Sequence, residues 1–143
     1  MNLFTYGVLM HPELLRELTG RRFASEPAIL RDYRRPAVVK EGYPRFPAIV
    51  PAPGASVEGV LVRGIDRESF EILDRFEEVD LGLYTRESVA ALDEAGRSCE
   101  AFAYVAGPRL EGCLEGTWEP TEFLDRYYET YKTRIIPAFL ESS

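Results

Sequence analysis

The residue order predicts an α+β fold built on a mixed sheet or small barrel. Three observations lead there: several short β-like runs, one hairpin signature, and three helical stretches that do not alternate regularly with the strands. Met1 to Tyr6 reads as a first strand ending at Gly7. His11-Pro12 then opens a helix, with proline at the tolerated first position, Leu14, Leu15 and Leu18 as its apolar stripe, Gly20 as its stop and His11 as its cap. From Phe23 to Pro53 the chain reads as extended but interrupted by prolines, with short strands at Tyr33 to Lys40 and Phe46 to Val50. Pro51 to Gly54 reads as a surface loop, and Val57 to Val62 as a strand. Asp66 caps a second helix reaching about Phe76. Tyr84 to Leu92 and Ser98 to Ala106 form the hairpin around Asp93-Glu94-Ala95-Gly96. Gly112 to Gly116 reads as loop, and Thr121 starts an aromatic helix through Tyr131, at most to Ile136 before Pro137.

Length and composition narrow the function. A chain of 143 residues suits one domain spanning 1–143, large enough to form a core without disulfides or a metal. With 24 acidic against 17 basic side chains the net charge is −7, and the basic residues are scattered. Binding to nucleic acid or to an anionic membrane relies on clustered Lys and Arg, so neither partner is expected. No basic leader precedes the first strand and no apolar run approaches the ~20 residues of a membrane span. With two unpaired-looking cysteines, Cys99 and Cys113, these features predict a soluble cytoplasmic protein. His11 is the only histidine, and GxGxxG, GxxxxGK[ST] and GxSxG are absent. Zinc, dinucleotide, P-loop and serine-triad chemistries therefore lack their parts, and no metal or cofactor is expected.

Two constellations remain. On a helical wheel Phe70, Ile72, Leu73 and Phe76 cover one side of the second helix, while Glu68, Glu71, Arg75 and Glu78 cover the other. Glu77 falls inside the apolar arc. An inward carboxylate should have a raised pKa and is a candidate general base. The alternative is a helix ending at Phe76, with Glu77 in solvent or paired with an arginine such as Arg86. The second constellation is Tyr6-Gly7-Val8-Leu9, where a glycine turn between strand and helix can align amides as an anion cradle, or simply punctuate the structure. Tyr127, Tyr128 and Tyr131 stand at helical spacing and read as core, as does Trp118.

The order of Tyr6-Gly7-Val8-Leu9, Phe46-Pro47-Ala48-Ile49-Val50, Val57-Glu58-Gly59-Val60-Leu61, Leu73-Asp74-Arg75-Phe76-Glu77 and Tyr84-Thr85-Arg86 resembles the gamma-glutamylcyclotransferase-like family. The closest branch holds the gamma-glutamylamine cyclotransferases and the plant avirulence-induced proteins. The resemblance implies a compact mixed β-barrel with flanking helices. It also implies a cofactor-independent reaction that releases 5-oxoproline and a free amine or amino acid from a small gamma-glutamyl substrate. The family's LDxFE glutamate falls on Glu77, as catalytic acid/base. Its substrate loop, YGSL or YGTL, falls on Tyr6, Gly7, Val8 and Leu9, and Tyr84 and Arg86 match its YxR pattern as orienting or pocket-lining residues. Position 8 departs from the pattern: valine replaces the loop hydroxyl, while the backbone donors persist. That departure keeps a rival in view, a non-catalytic module on the same fold that binds a small molecule or a protein.

Overall fold

The computed structural model describes residues 1–142 and contains the anticipated barrel. Five strands close it in the order β1-β5-β2-β6-β7: β1 (Leu3–Thr5), β2 (Ala24–Arg34), β5 (Val50–Arg63), β6 (Tyr84–Leu92) and β7 (Ser98–Ala106). Two-residue strands β3 (Ala37–Val38), β4 (Phe46–Pro47) and β8 (Leu114–Glu115) make a small second sheet in the order β4-β3-β8. All pairings are antiparallel except the seam, where β1 meets β7 in parallel at Leu3 and Phe102.

Alternation along the strands divides the core in two. Phe4 of β1 and Ala101, Ala103 and Val105 of β7 fill the barrel with Leu30, Val57 and Leu61. Leu3 and Tyr104, on the other face, meet the helices. The alanine row suits a five-stranded barrel, whose narrow interior leaves little room for larger side chains. Helix α1 (Pro12–Thr19) buries Leu14, Leu15 and Leu18, and α2 (Arg67–Phe76) buries Phe70 and Leu73. Asp66 caps α2 as its sequence suggests, accepting from the Ser69 amide at 3.1 Å.

Four expectations need correction. The prolines do not fragment the second quarter of the chain: β2 begins at Ala24, and β5 runs through Pro51 and Pro53 for 14 residues. A register shift after Arg31, with Asp32 at φ 65° and its carboxylate accepting from the Gly54 amide at 3.0 Å, absorbs the irregularity. The Gly112 to Gly116 loop contains β8. His11 makes no side-chain cap; its ring stacks on Phe123 with centroids 5.3 Å apart. The last helix continues past Pro137 over 120–142, with α turns alternating with wider π turns at Phe123–Tyr127 and Tyr131–Ile135. The second π turn widens the ladder just before the proline, whose missing N–H would interrupt a regular α-helix. Among the described residues no helix is long and apolar enough to cross a membrane.

Candidate active site

Strand β1 ends at Thr5, and the backbone folds at once into a short 3₁₀ turn, Val8–Met10. The turn is held by the Met10 amide on the Gly7 carbonyl at 3.0 Å, which leaves the amides of Gly7, Val8 and Leu9 without a backbone acceptor among the described bonds. The turn lies against Pro47 so closely that a Cβ on Gly7 would collide with the proline ring, so glycine is required there. Behind the turn, the Arg35 guanidinium donates to the Tyr6 carbonyl at 2.8 Å and stacks over Trp118, its carbon 5.2 Å from the ring centroid. A peptide group is planar, with its C=O and N–H directed oppositely. Clamping the Tyr6 carbonyl therefore fixes the direction of the Gly7 amide.

Facing this turn is the end of α2. The helix stops at Phe76, as the blander reading of the wheel required, and the Glu77 amide still bonds back to Leu73 at 2.9 Å. Glu78 then adopts a left-handed conformation, φ 51° and ψ 44°, which turns the chain toward β6. Glu77 nevertheless reaches neither bulk solvent nor Arg86. Together with Tyr6, Gly7, Val8 and Leu9 it lines a cavity of about 500 Å³. Glu77 is half-buried, its carboxyl opens on the cavity, and it receives no hydrogen bond from the described residues. Burial, reinforced by the charges of Glu78 and Asp74, pushes its pKa up to about 8.

Four tyrosines complete the inner wall. Tyr6 donates to the Tyr104 carbonyl and Tyr84 to the Pro47 carbonyl, each at 2.6 Å. Tyr104 donates to Asp74 at 2.8 Å. The Tyr131 hydroxyl, from the last helix, has no protein partner among the described residues. Burial holds all four ionisations above the ordinary phenol range, and the nearby Glu77 charge adds to the effect, so each stays a neutral hydroxyl. Phe76, Leu83 and Ile135 supply apolar surface.

The structure thus brings together Glu77, Tyr6, Gly7, Val8, Leu9 and Tyr84. Arg86 is different and corrects the pocket-lining expectation. It stands outside the cavity, with its Nε 3.0 Å from Asp74 and its guanidinium 4.7 Å from the ring centroids of both Phe70 and Phe102. It holds Asp74, which in turn holds Tyr104. Sequence reasoning missed Tyr104; it placed Tyr131 in the core, where the residue is indeed buried, without showing that it also lines the cavity. The alternation of alanines with Phe102 and Tyr104 carried a signal for the outward face of Tyr104, but nothing in it named the helix opposite. Trp118 supports Arg35 from outside the cavity, and neither cysteine lines it. Among the described residues no group of three or more His, Cys, Asp or Glu side chains gathers at one point.

Comparison with known proteins agrees with this architecture. An AIG2-like protein D of Arabidopsis thaliana is 31% identical over 132 residues, covering 91% of this chain and 83% of the plant protein. A solution structure from the same plant superposes with a TM-score of 0.69 at 23% identity, over 96% of this chain and 87% of the other. A structure described as gamma-glutamyl cyclotransferase gives 0.65 at 16% identity, over 99% of this chain and 98% of its own; these two likenesses speak for the fold. Residues 3–120, from the first strand to the start of the last helix, match the family model described as gamma-glutamyl cyclotransferase, AIG2-like, and the chain belongs to that family.

Proposed function

We propose that the protein is a cofactor-independent gamma-glutamyl cyclotransferase with Glu77 as its acid/base. The observation that carries this reading is the half-buried Glu77 carboxyl, which opens without a hydrogen-bond donor on the cavity that also presents the Tyr6 to Leu9 turn. In the reaction the α-amine of a gamma-glutamyl group attacks its own side-chain carbonyl. A new C–N bond closes the five-membered lactam, 5-oxoproline, and the original amide C–N bond breaks to release an amine. The α-nitrogen loses two protons in passing from ammonium to lactam N–H, and the leaving nitrogen gains two in departing as an ammonium, so one carboxylate can serve in turn as base and as acid. A carboxyl raised to about pKa 8 lies much closer to the α-ammonium of an amino acid than an ordinary glutamate does, so proton transfer between them is less uphill. The nucleophile is tethered to the electrophile, which leaves the protein to orient, desolvate and carry protons from one nitrogen to the other. Backbone amides at Gly7 to Leu9 would receive the α-carboxylate or the developing oxyanion, a task for which Val8 keeps the backbone donor and lacks only the hydroxyl.

The test is release of 5-oxoproline from gamma-glutamyl amines and peptides by the wild type and by Glu77→Gln. Release that disappears in the folded variant supports the reading. Ligand binding without release would favour a binding module.

Two further outcomes are expected. In Glu78→Gln the loss of a like charge lowers the Glu77 pKa, so the acid limb of the pH–rate profile moves below its wild-type position near pH 8. An unmoved limb would assign that limb to another group. In Arg35→Met the Tyr6 carbonyl loses a charge-assisted hydrogen bond of about 1.5–3 kcal/mol, and KM should rise about tenfold with a smaller change in kcat. Arg35→Lys should restore part of it, and an unchanged KM would show that the turn holds itself.

A further inference from the structure

Charge is unevenly distributed around the cavity. Its lining residues include two cations, Lys40 and Arg134, and neither joins an ion pair among the described residues. Both stand at the mouth. Along the last helix the wall passes from buried Tyr131 to exposed Arg134 three residues later. Along the segment between β3 and β4 it passes outward from Pro47, whose carbonyl is bound by buried Tyr84, to exposed Tyr43. The Lys40 ammonium lies 5.3 Å from the Tyr43 ring centroid. The two cations therefore reach the opening from separate elements, one on the loop and one on the helix.

The carboxylates in the wall come from a third element, the end of α2, with Glu77 half-buried and Glu78 exposed. Glu77 and Glu78 follow one another at the end of α2, and the charges acting on Glu77 are those of Glu78 and Asp74, with neither mouth cation among them. A substrate cyclising at Glu77 presents its α-ammonium to this acidic end, and its leaving group extends toward the cations. An ammonium on the far end of that leaving group would meet two like charges, whereas a carboxylate would meet two partners without an existing ion pair to break.

Resting on the cyclotransferase reading, we infer that Lys40 and Arg134 form a leaving-group subsite for a carboxylate, so that gamma-glutamyl conjugates of amino acids are used in preference to those of polyamines. The contacts lie at the mouth in water, so the discrimination is electrostatic and weakens with salt.

Three gamma-glutamyl amides with matched three-carbon tails test this: the conjugate of β-alanine, carrying a carboxylate; of propylamine, neutral; and of 1,3-diaminopropane, carrying an ammonium. At low ionic strength the wild type should favour the β-alanine conjugate over the neutral one by about tenfold in kcat/KM, chiefly through KM, with the diamine conjugate last. The preference should shrink at high salt. In the double variant Lys40→Glu, Arg134→Glu, compared only within itself and checked for an unchanged melting curve, the order of tails should reverse. Equal use of all three tails by the wild type, or an order unmoved by charge reversal, overturns the inference and leaves the cyclotransferase standing. Release from none of the three overturns the cyclotransferase, and the subsite with it.

Discussion

Glu77→Gln is expected to be more stable than the wild type at pH 8 while losing about 10³-fold in turnover, the range of a removed general acid/base. The stability gain follows from proton linkage. The carboxyl has an ordinary pKa of 4.5 when exposed and about 8 in the fold, so the folded state holds the proton more tightly than the unfolded chain. That contribution is fully present below pH 4.5 and is lost as pH rises through 8. Carried through in full, that shift is worth about 4 kcal/mol at pH 8; discounted for the access of the half-buried carboxyl to cavity water, the wild type carries a penalty on the order of 2–3 kcal/mol near neutrality and above. Glutamine never ionises and avoids it. Thermal melts of both proteins at pH 5, 7 and 8 should show a gap that widens with pH to about 5–10 °C. Parallel curves would mean that the carboxyl is solvated in the folded protein. The gap would be a direct measure of how far the site departs from the arrangement that stability alone would favour.

The second large effect is expected far from the carboxyl, at Gly59→Ala. Gly59 pairs with Ala28 where β5 crosses between β1 and β2. A Cβ there would collide with the Thr5 carbonyl oxygen and come within 2.7 Å of the Phe4 ring. A ring can turn, but a carbonyl in a strand can move only with its strand. We expect a loss of about 3 kcal/mol, at the upper end of ordinary overpacking, read as a lower denaturation midpoint with an unchanged slope. Catalysis should suffer too, because Thr5 leads directly into the Tyr6 turn. A loss under about 0.5 kcal/mol, the range of ordinary surface substitutions, would show that β1 shifts along its partners without penalty.

What the sequence made legible was the local signals. Asp66 before α2, the Asp93 to Gly96 hairpin and the Leu14, Leu15, Leu18 stripe depend on neighbours a few residues away, and each appears as read. Glu77 was legible because helical geometry fixes which side a residue leaves from, even at the last turn. Reading failed where a partner lay far along the chain. The prolines at 51 and 53 suggested a loop because the partner strand that carries them, with its compensating shift at Asp32, is some twenty residues away. Arg86 resembled a pocket residue by its motif, yet Asp74 and two aromatic rings hold it elsewhere. Tyr131 is core, as its helical spacing suggested, but its place in the cavity wall has no signature until the cavity exists around it.

The seam of the barrel has a consequence for synthesis. Strand β1 leaves the ribosome before both of its neighbours, which are Val60 to Val62 and, at the closing edge, Phe102. Its hydrogen-bonding edges must wait for β5 and then for Phe102 of β7, about a hundred residues further along the chain. Ring closure across so long a separation is a slow class of folding event, and until it occurs an apolar strand stands with open edges. The residues that line the cavity come from positions 4 to 135. A growing chain therefore holds no partial version of this pocket, and chaperone contact with the first strand would guard both the fold and the chemistry at the same stage.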